Sequence, residues 1–234
     1  MAVRDHDVEL PRGRELEVRA PGLWAQLICE TPLDHWSAGL EASAIALDDS
    51  AAVTGDERGD PTALGLDLEW EVAGRPATVA GSAGYAQPAA VYGDVLVGAE
   101  RLTVAGTGWY SHRWGIPPWP DASWWSVFAH LGDGTAIATS APGRASTWRD
   151  GEVHEGDASL GSRWPPGPEP EPGPLLVVNG IGLPMTATAV ALVPLGAAAA
   201  DQVLVRSLCS LGDDHPAGGH GWAEWLASPC PASP

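Results

Sequence analysis

From Leu64 to Val72 the chain reads LGLDLEWEV, and apolar and polar residues alternate without a break. Leu64, Leu66, Leu68, Trp70 and Val72 share one side of an extended strand; Gly65, Asp67, Glu69 and Glu71 share the other. A period of two belongs to a half-buried strand, because a helix would scatter the same residues around its circumference. Further strands are expected over Leu23–Glu30, Ala38–Leu47, Ala89–Val97, Arg101–Trp109, Trp124–Leu131, Thr135–Ala141, Ala145–Arg149, Glu152–Glu155, Met185–Val193, Gln202–Leu211 and Gly221–Leu226. Gly132-Asp133-Gly134, Asp150-Gly151 and Gly98-Ala99-Glu100 read as hairpin turns, since glycine reaches the positive φ that tight turns demand. Many short strands with frequent turns predict an all-β antiparallel barrel or sandwich. One helix is expected around Gly196–Gln202. The stretch Pro165–Pro174, PPGPEPEPGP, is too proline-rich for sheet or helix and reads as a linker or exposed loop.

The totals narrow the function classes. The 234 residues include 29 glycines and 22 prolines, which punctuate the strands. A net charge of −18 and a pI near 4.5 oppose a nucleic-acid partner or an anionic lipid surface, both of which are held by Lys and Arg. Three cysteines, Cys29, Cys209 and Cys230, with no C-x-x-C pair argue against a disulfide framework or a zinc site. No apolar run approaches the roughly 18 residues of a membrane span, and the N-terminus lacks the apolar core of a signal peptide; the expectation is a cytoplasmic protein without membrane insertion. Dinucleotide, P-loop, zinc-protease and nucleophile-elbow motifs are missing, so no cofactor and no metal are expected.

Chemistry concentrates in Gly106–Trp125, GTGWYSHRWGIPPWPDASWW, which holds five of the twelve tryptophans. Indoles bring large apolar area and one N–H that needs a partner, so such a cluster builds either a core wall or an aromatic pocket. His112, flanked by Tyr110, Ser111 and Arg113, is the candidate acid or base, because imidazole exchanges a proton near neutral pH; the competing reading is a histidine that ties its strand to the fold. Asp34 lies beside His35, either as an acid–imidazole pair or as a turn residue bonding its own backbone. Asp67, Glu69 and Glu71 could hold a cation, though such a face is more often solvated. Glu224 lies between Trp222 and Trp225, on a face the sequence leaves open.

Three stretches together resemble a known family: Pro21–Ala42, then LGLDLEWE with Gly84–Gly115, then Gly219–Trp225 (GHGWAEW). Their order is similar to the AttH/CrtC-like, hydroxyneurosporene synthase-type lipocalin-like family, whose central motif is approximately glycine, aromatic, any, Asp, His, Asn or Ser, Trp, Gly. Here it reads Gly108-Trp109-Tyr110-Ser111-His112-Arg113-Trp114-Gly115. His112, Trp114 and Gly115 match; Ser111 replaces the family's Asp and Arg113 its Asn or Ser. The resemblance implies a calycin-like barrel with an apolar cavity. The barrel region would cover residues 1–164, with a loop at 165–174. The strands of 175–234 would complete the barrel or form a reduced second sheet. A serine hydroxyl is too weak an acid to protonate an alkene, so hydration through Ser111 is in doubt.

Joined to the tryptophans, the resemblance leads to two expectations. The first is a cofactor-independent cyclase or isomerase for an apolar terpenoid or polyketide intermediate. In it His112 moves a proton and Asp34 or Glu41 stands as reserve acid. Trp109, Trp114, Trp124 and Trp125 line the cavity, and Tyr110 and Arg113 orient a polar end. The second is a barrel that binds a hydrophobic small molecule without chemistry.

Overall fold

The computed structural model describes residues 13–47, 59–78, 83–114, 124–141, 143–161, 175–194, 203–212 and 218–227. Their regular structure is antiparallel strand throughout, as expected. The order is β1 (Glu15–Ala20), β2 (Leu23–Thr31), β3 (His35–Ala46), β4 (Asp60–Val72), β5 (Ala77–Thr78), β6 (Ala83–Val97), β7 (Glu100–Trp114) and β8 (Trp125–Leu131). It continues with β9 (Ala136–Ser140), β10 (Arg144–Arg149), β11 (Glu152–Gly161), β12 (Leu175–Val178), β13 (Ile181–Pro194), β14 (Val203–Leu211) and β15 (Gly219–Ala227). The helix expected near Gly196–Gln202 and the proline stretch 165–174 lie outside the described residues. Among those described, no helix is long and apolar enough to cross a membrane. Two compact units form: residues 1–74 with 87–110, and 75–86 with 111–234. The change of unit falls within β6 and β7.

In the first unit the strands run β1-β2-β3-β4-β6, and β7 pairs with β6. The alternation seen in LGLDLEWEV propagates across the sheet. Trp36 lies opposite Trp70 and Trp70 opposite Val91; Ala38, Leu68 and Gly93 form the next row, and Leu40, Leu66 and Val95 the one after. One face is therefore apolar. It is also concave. β3 and β7 are three strand spacings apart, about 14 Å in a flat sheet, yet the rings of Trp36 and Tyr110 stack with centroids 4.8 Å apart. A Cβ at Gly108 would collide with Val91 and crowd the Trp70 indole, so β7 approaches this face where its side chain is missing.

The second unit contains a closed barrel in the order β10-β11-β12-β13-β14-β15-β8-β9. All eight strands send side chains into one cluster, including Val127, Ile137, Ala145, Ala158, Leu176, Leu183, Met185, Cys209, Leu211, Ala223 and Trp225. Val127, Leu176, Cys209 and Leu211 have no exposed surface at all. An eight-stranded barrel has an interior wide enough for its own side chains or for one small ligand, and these side chains form its buried lining. Outside the barrel, Ser146 donates to Thr78 O (3.3 Å) and Trp148 Nε1 to Arg75 O (2.7 Å), fixing the residues around β5 on β10.

The turns follow glycine chemistry. Asp150 and Gly151, at φ 50° and 80°, join β10 to β11 as expected, and Asn179 and Gly180, at 51° and 81°, join β12 to β13. Leu211→Ala should lower the stability of the barrel by about 2–5 kcal/mol, because a sealed core cannot collapse onto the void. Urea unfolding followed by far-ultraviolet circular dichroism checks this; a loss within error of zero would mean the barrel interior is not tight.

Candidate functional site

Strand geometry divides the sequence motif. Along β7, Tyr110, His112 and Trp114 point one way, and Trp109, Ser111 and Arg113 the other. Tyr110 belongs to the first unit and the residues from Ser111 onward to the second.

In the second unit His112 is exposed and stacks on Tyr85 of β6, with ring centroids 5.8 Å apart and planes at 21°. Trp114, 56% exposed, packs beside both rings, 5.5 Å from His112 and 6.3 Å from Tyr85. Tyr85 and His112 are equally far from the Gly98-Ala99 turn, so the hairpin itself pairs them. On the opposite face Arg113 lies over Trp124, its Cζ 5.7 Å from the ring centroid. Crowding by its surroundings lowers the guanidinium's pKa, and the charge of Glu224 opposes that shift. Glu224 points outward from the barrel with a side chain only 15% exposed. It accepts hydrogen bonds from Arg206 Nε (2.9 Å), Trp222 Nε1 (3.2 Å) and Ser126 Oγ (3.5 Å). Trp125 packs against the barrel's inner cluster.

In the first unit Tyr110 meets Trp36, whose buried Nε1 has no hydrogen-bond partner. Trp109 is half-buried on β7. Gln87, 1% exposed, donates from Nε2 to Gly74 O (3.1 Å) and Leu33 O (3.4 Å), tying β6 to two turns at this end of the apolar face. Asp34 is exposed in a turn where its N–H bonds Thr31 O and its carbonyl accepts from Val72. His35 pairs with Glu69 at 2.5 Å rather than with Asp34. Glu41 lies on the outer, polar face, in a groove with Trp24. The structure thus gathers His112 with Trp114, and Arg113 with Trp124, while Asp34 and Glu41 belong to separate surroundings.

The three outer carboxylates of β4 face different partners. Glu69 binds His35, Glu71 accepts from Tyr92, and Asp67 lies opposite Asp94, which Arg101 and Thr103 hold. Among the described residues no group of three potential ligands is arranged for a metal. Cys29 and Cys209 are free and buried, and burial pushes the Cys209 thiol up; Cys230 lies outside the described residues. Sequence reasoning passed over Trp36 and Tyr85. Trp36 shares the period-two stripe of Ala38 and Leu40, but the strand was expected to begin two residues later. Tyr85 becomes visible through the hairpin count.

The sequence model of a family described as Domain of unknown function (DUF7064) matches residues 1–229. The chain belongs to that family. Its structure is similar to the crystal structure of a candidate AttH from Nitrosomonas europaea at 2.00 Å resolution, with a TM-score of 0.52 and 16% identity over 88% of this chain and 87% of that one. A looser similarity, TM-score 0.41 and 13% identity over 87% of this chain and 73% of the other, is to CghA with Sch210972. No curated protein matches. At such identities the first likeness shows the fold: this DUF7064 member is lipocalin-like, as its sequence implied.

Tyr92 supplies a pH test. Its hydrogen bond to Glu71, together with burial and the charges of Glu71 and Glu69, pushes the phenol's pKa up from 10.0 to about 12. The folded state holds this proton more tightly than the unfolded chain. The contribution is therefore complete below about pH 10 and is lost as pH climbs towards 12. In an ultraviolet titration one of the three tyrosines should ionise late, and Glu71→Gln should return it towards 10. Three unshifted tyrosines in the wild type would contradict the contact.

Proposed function

We propose that this DUF7064 protein binds a hydrophobic small molecule against the concave face of its first unit. One observation carries the reading: the apolar face of the first unit stays half-exposed. Trp36, Leu40, Leu64, Leu66 and Trp70 are all partly accessible there, and Leu27 is 39% exposed. Side chains selected to be apolar, yet left uncovered, gain about 25 cal/mol for each Å² that a guest removes from water. Trp36, Trp70 and Tyr110 supply rigid aromatic walls, which lose little conformational freedom on binding. The acidic balance of the chain favours a neutral guest over an anionic one.

A second reading, catalysis of cyclisation or isomerisation on a terpenoid or polyketide, draws on the His112 cluster. An accessible imidazole stacked on Tyr85 and beside Trp114 combines a proton carrier with aromatic faces that stabilise positive charge by roughly 0.5–2 kcal/mol each. Asp34 and Glu41, the reserve acids of this reading, are exposed.

Titration with a fluorescent polyene should quench the tryptophans, and the polyene should be recovered chemically unchanged. Trp36→Ala should weaken binding roughly tenfold, the loss of about 1.4 kcal/mol of aromatic contact. His112→Ala should leave affinity as it was. A product whose formation disappears in His112→Ala would replace binding with catalysis; absence of quenching by any apolar probe would remove both readings.

A further inference from the structure

The outer face of the first unit carries a groove of about 590 Å³ that crosses β2, β3, β4 and β6. Two adjacent cross-strand rows build it. Trp24, Glu41, Gly65 and Leu96 lie side by side in register, and Ser43 and Ala63 lie in the next row. Small residues form the floor, and Trp24 and Leu96 stand as walls. Leu96, 46% exposed, is an uncovered apolar wall. Trp24 is fixed in place: its Nε1 donates to Glu17 Oε1 (2.8 Å), and the Cη2–Cζ3 edge of its ring meets Gly39 so closely that a Cβ there would come within 3.0 Å of it. Arg19, paired with Trp24 in the β1–β2 register, is engaged by Glu17 and so does not neutralise the groove. Among the described residues the Glu41 carboxylate has no ion pair and no hydrogen-bond donor.

We propose that this groove is a binding site for a small organic ammonium ion. Glu41 supplies the counter-charge, the Trp24 indole a face that attracts cations, and Leu96 an apolar surface for the alkyl groups. The site uses the face of the sheet opposite to the concave one, so it stands whether or not an apolar guest binds there. A sugar would stack on the same indole, but a groove offering one carboxylate and one hydroxyl gives a polyol few hydrogen bonds. A single uncompensated negative charge between two apolar walls matches an alkylated ammonium. Sodium, strongly hydrated and without alkyl groups, gains nothing from either wall.

The probe is choline, titrated into the full chain at constant ionic strength and followed by the Trp24 indole resonance in nitrogen–proton NMR. Its uncharged isostere dimethylbutanol runs in parallel. Saturable choline binding is expected with a Kd on the order of 30 mM, as an exposed cation–π contact and one ion pair provide. Dimethylbutanol should bind about fivefold or more weakly, and Glu41→Gln and Trp24→Leu should each weaken choline by about the same factor. Glu152→Gln, which removes an exposed acid on β11, should change nothing. Choline that fails to saturate overturns the proposal. So does equal binding of the isostere, or an effect of Glu152→Gln as large as that of Glu41→Gln, which would mark general attraction to an acidic protein.

Discussion

Closure of β8–β15 into a ring of eight strands governs where this molecule can do anything. A closed sheet satisfies every edge N–H and C=O, and at eight strands its lumen holds little beyond its own side chains or one small ligand. Alanines at 129, 145, 158 and 223 share the lumen with Leu176, Leu183, Met185, Leu211 and Trp225. In the first unit the strand path from β1 to β7 curls, and its apolar face stays partly uncovered. The same alternation of residues produces a buried core in one unit and an accessible surface in the other. Closure, not composition, makes the difference.

How far the sequence disclosed this depends on the range of the interaction involved. β4 was legible because its alternation is unbroken, and the turns at 98–100, 132–134 and 150–151 because glycine there answers a local need for positive φ. β1 was missed since its apolar stripe is only Leu16, Val18 and Ala20, set between Glu15, Glu17 and Arg19. β12 has four residues next to the proline stretch, and β5 has two. Asn179-Gly180 was itself a strong hairpin signal, overlooked because the strand before it is so short. Ring closure pairs β15 with β8, segments distant in sequence, and no local pattern announces it.

The candidate site was legible as a neighbourhood and not as a geometry. GWYSHRWG was read as one constellation because its residues are adjacent in sequence. In an extended strand adjacent residues point apart. Trp36 reaches Tyr110 from 74 positions away, and that contact depends on the curl of a whole sheet. His35, expected beside Asp34, finds Glu69 for the same reason: they lie on neighbouring strands and on one face, while Asp34 is held by its own turn.

Alternation along β7 also limits what the second unit can do chemically. His112 shares a face with Trp114 and meets Tyr85; Arg113 occupies the other face, over Trp124 and within the field of Glu224. A single reacting atom cannot be in hydrogen-bond reach of both, because consecutive strand side chains diverge on opposite sides of the backbone. If the imidazole moves a proton, the guanidinium does not orient the same group. The Arg113–Trp124 contact, backed by the Arg206–Glu224–Ser126 row, then reads more naturally as a brace that holds the end of β7 on the barrel. Whatever acts at His112 must work with the aromatic rings on its own side, Tyr85 and Trp114.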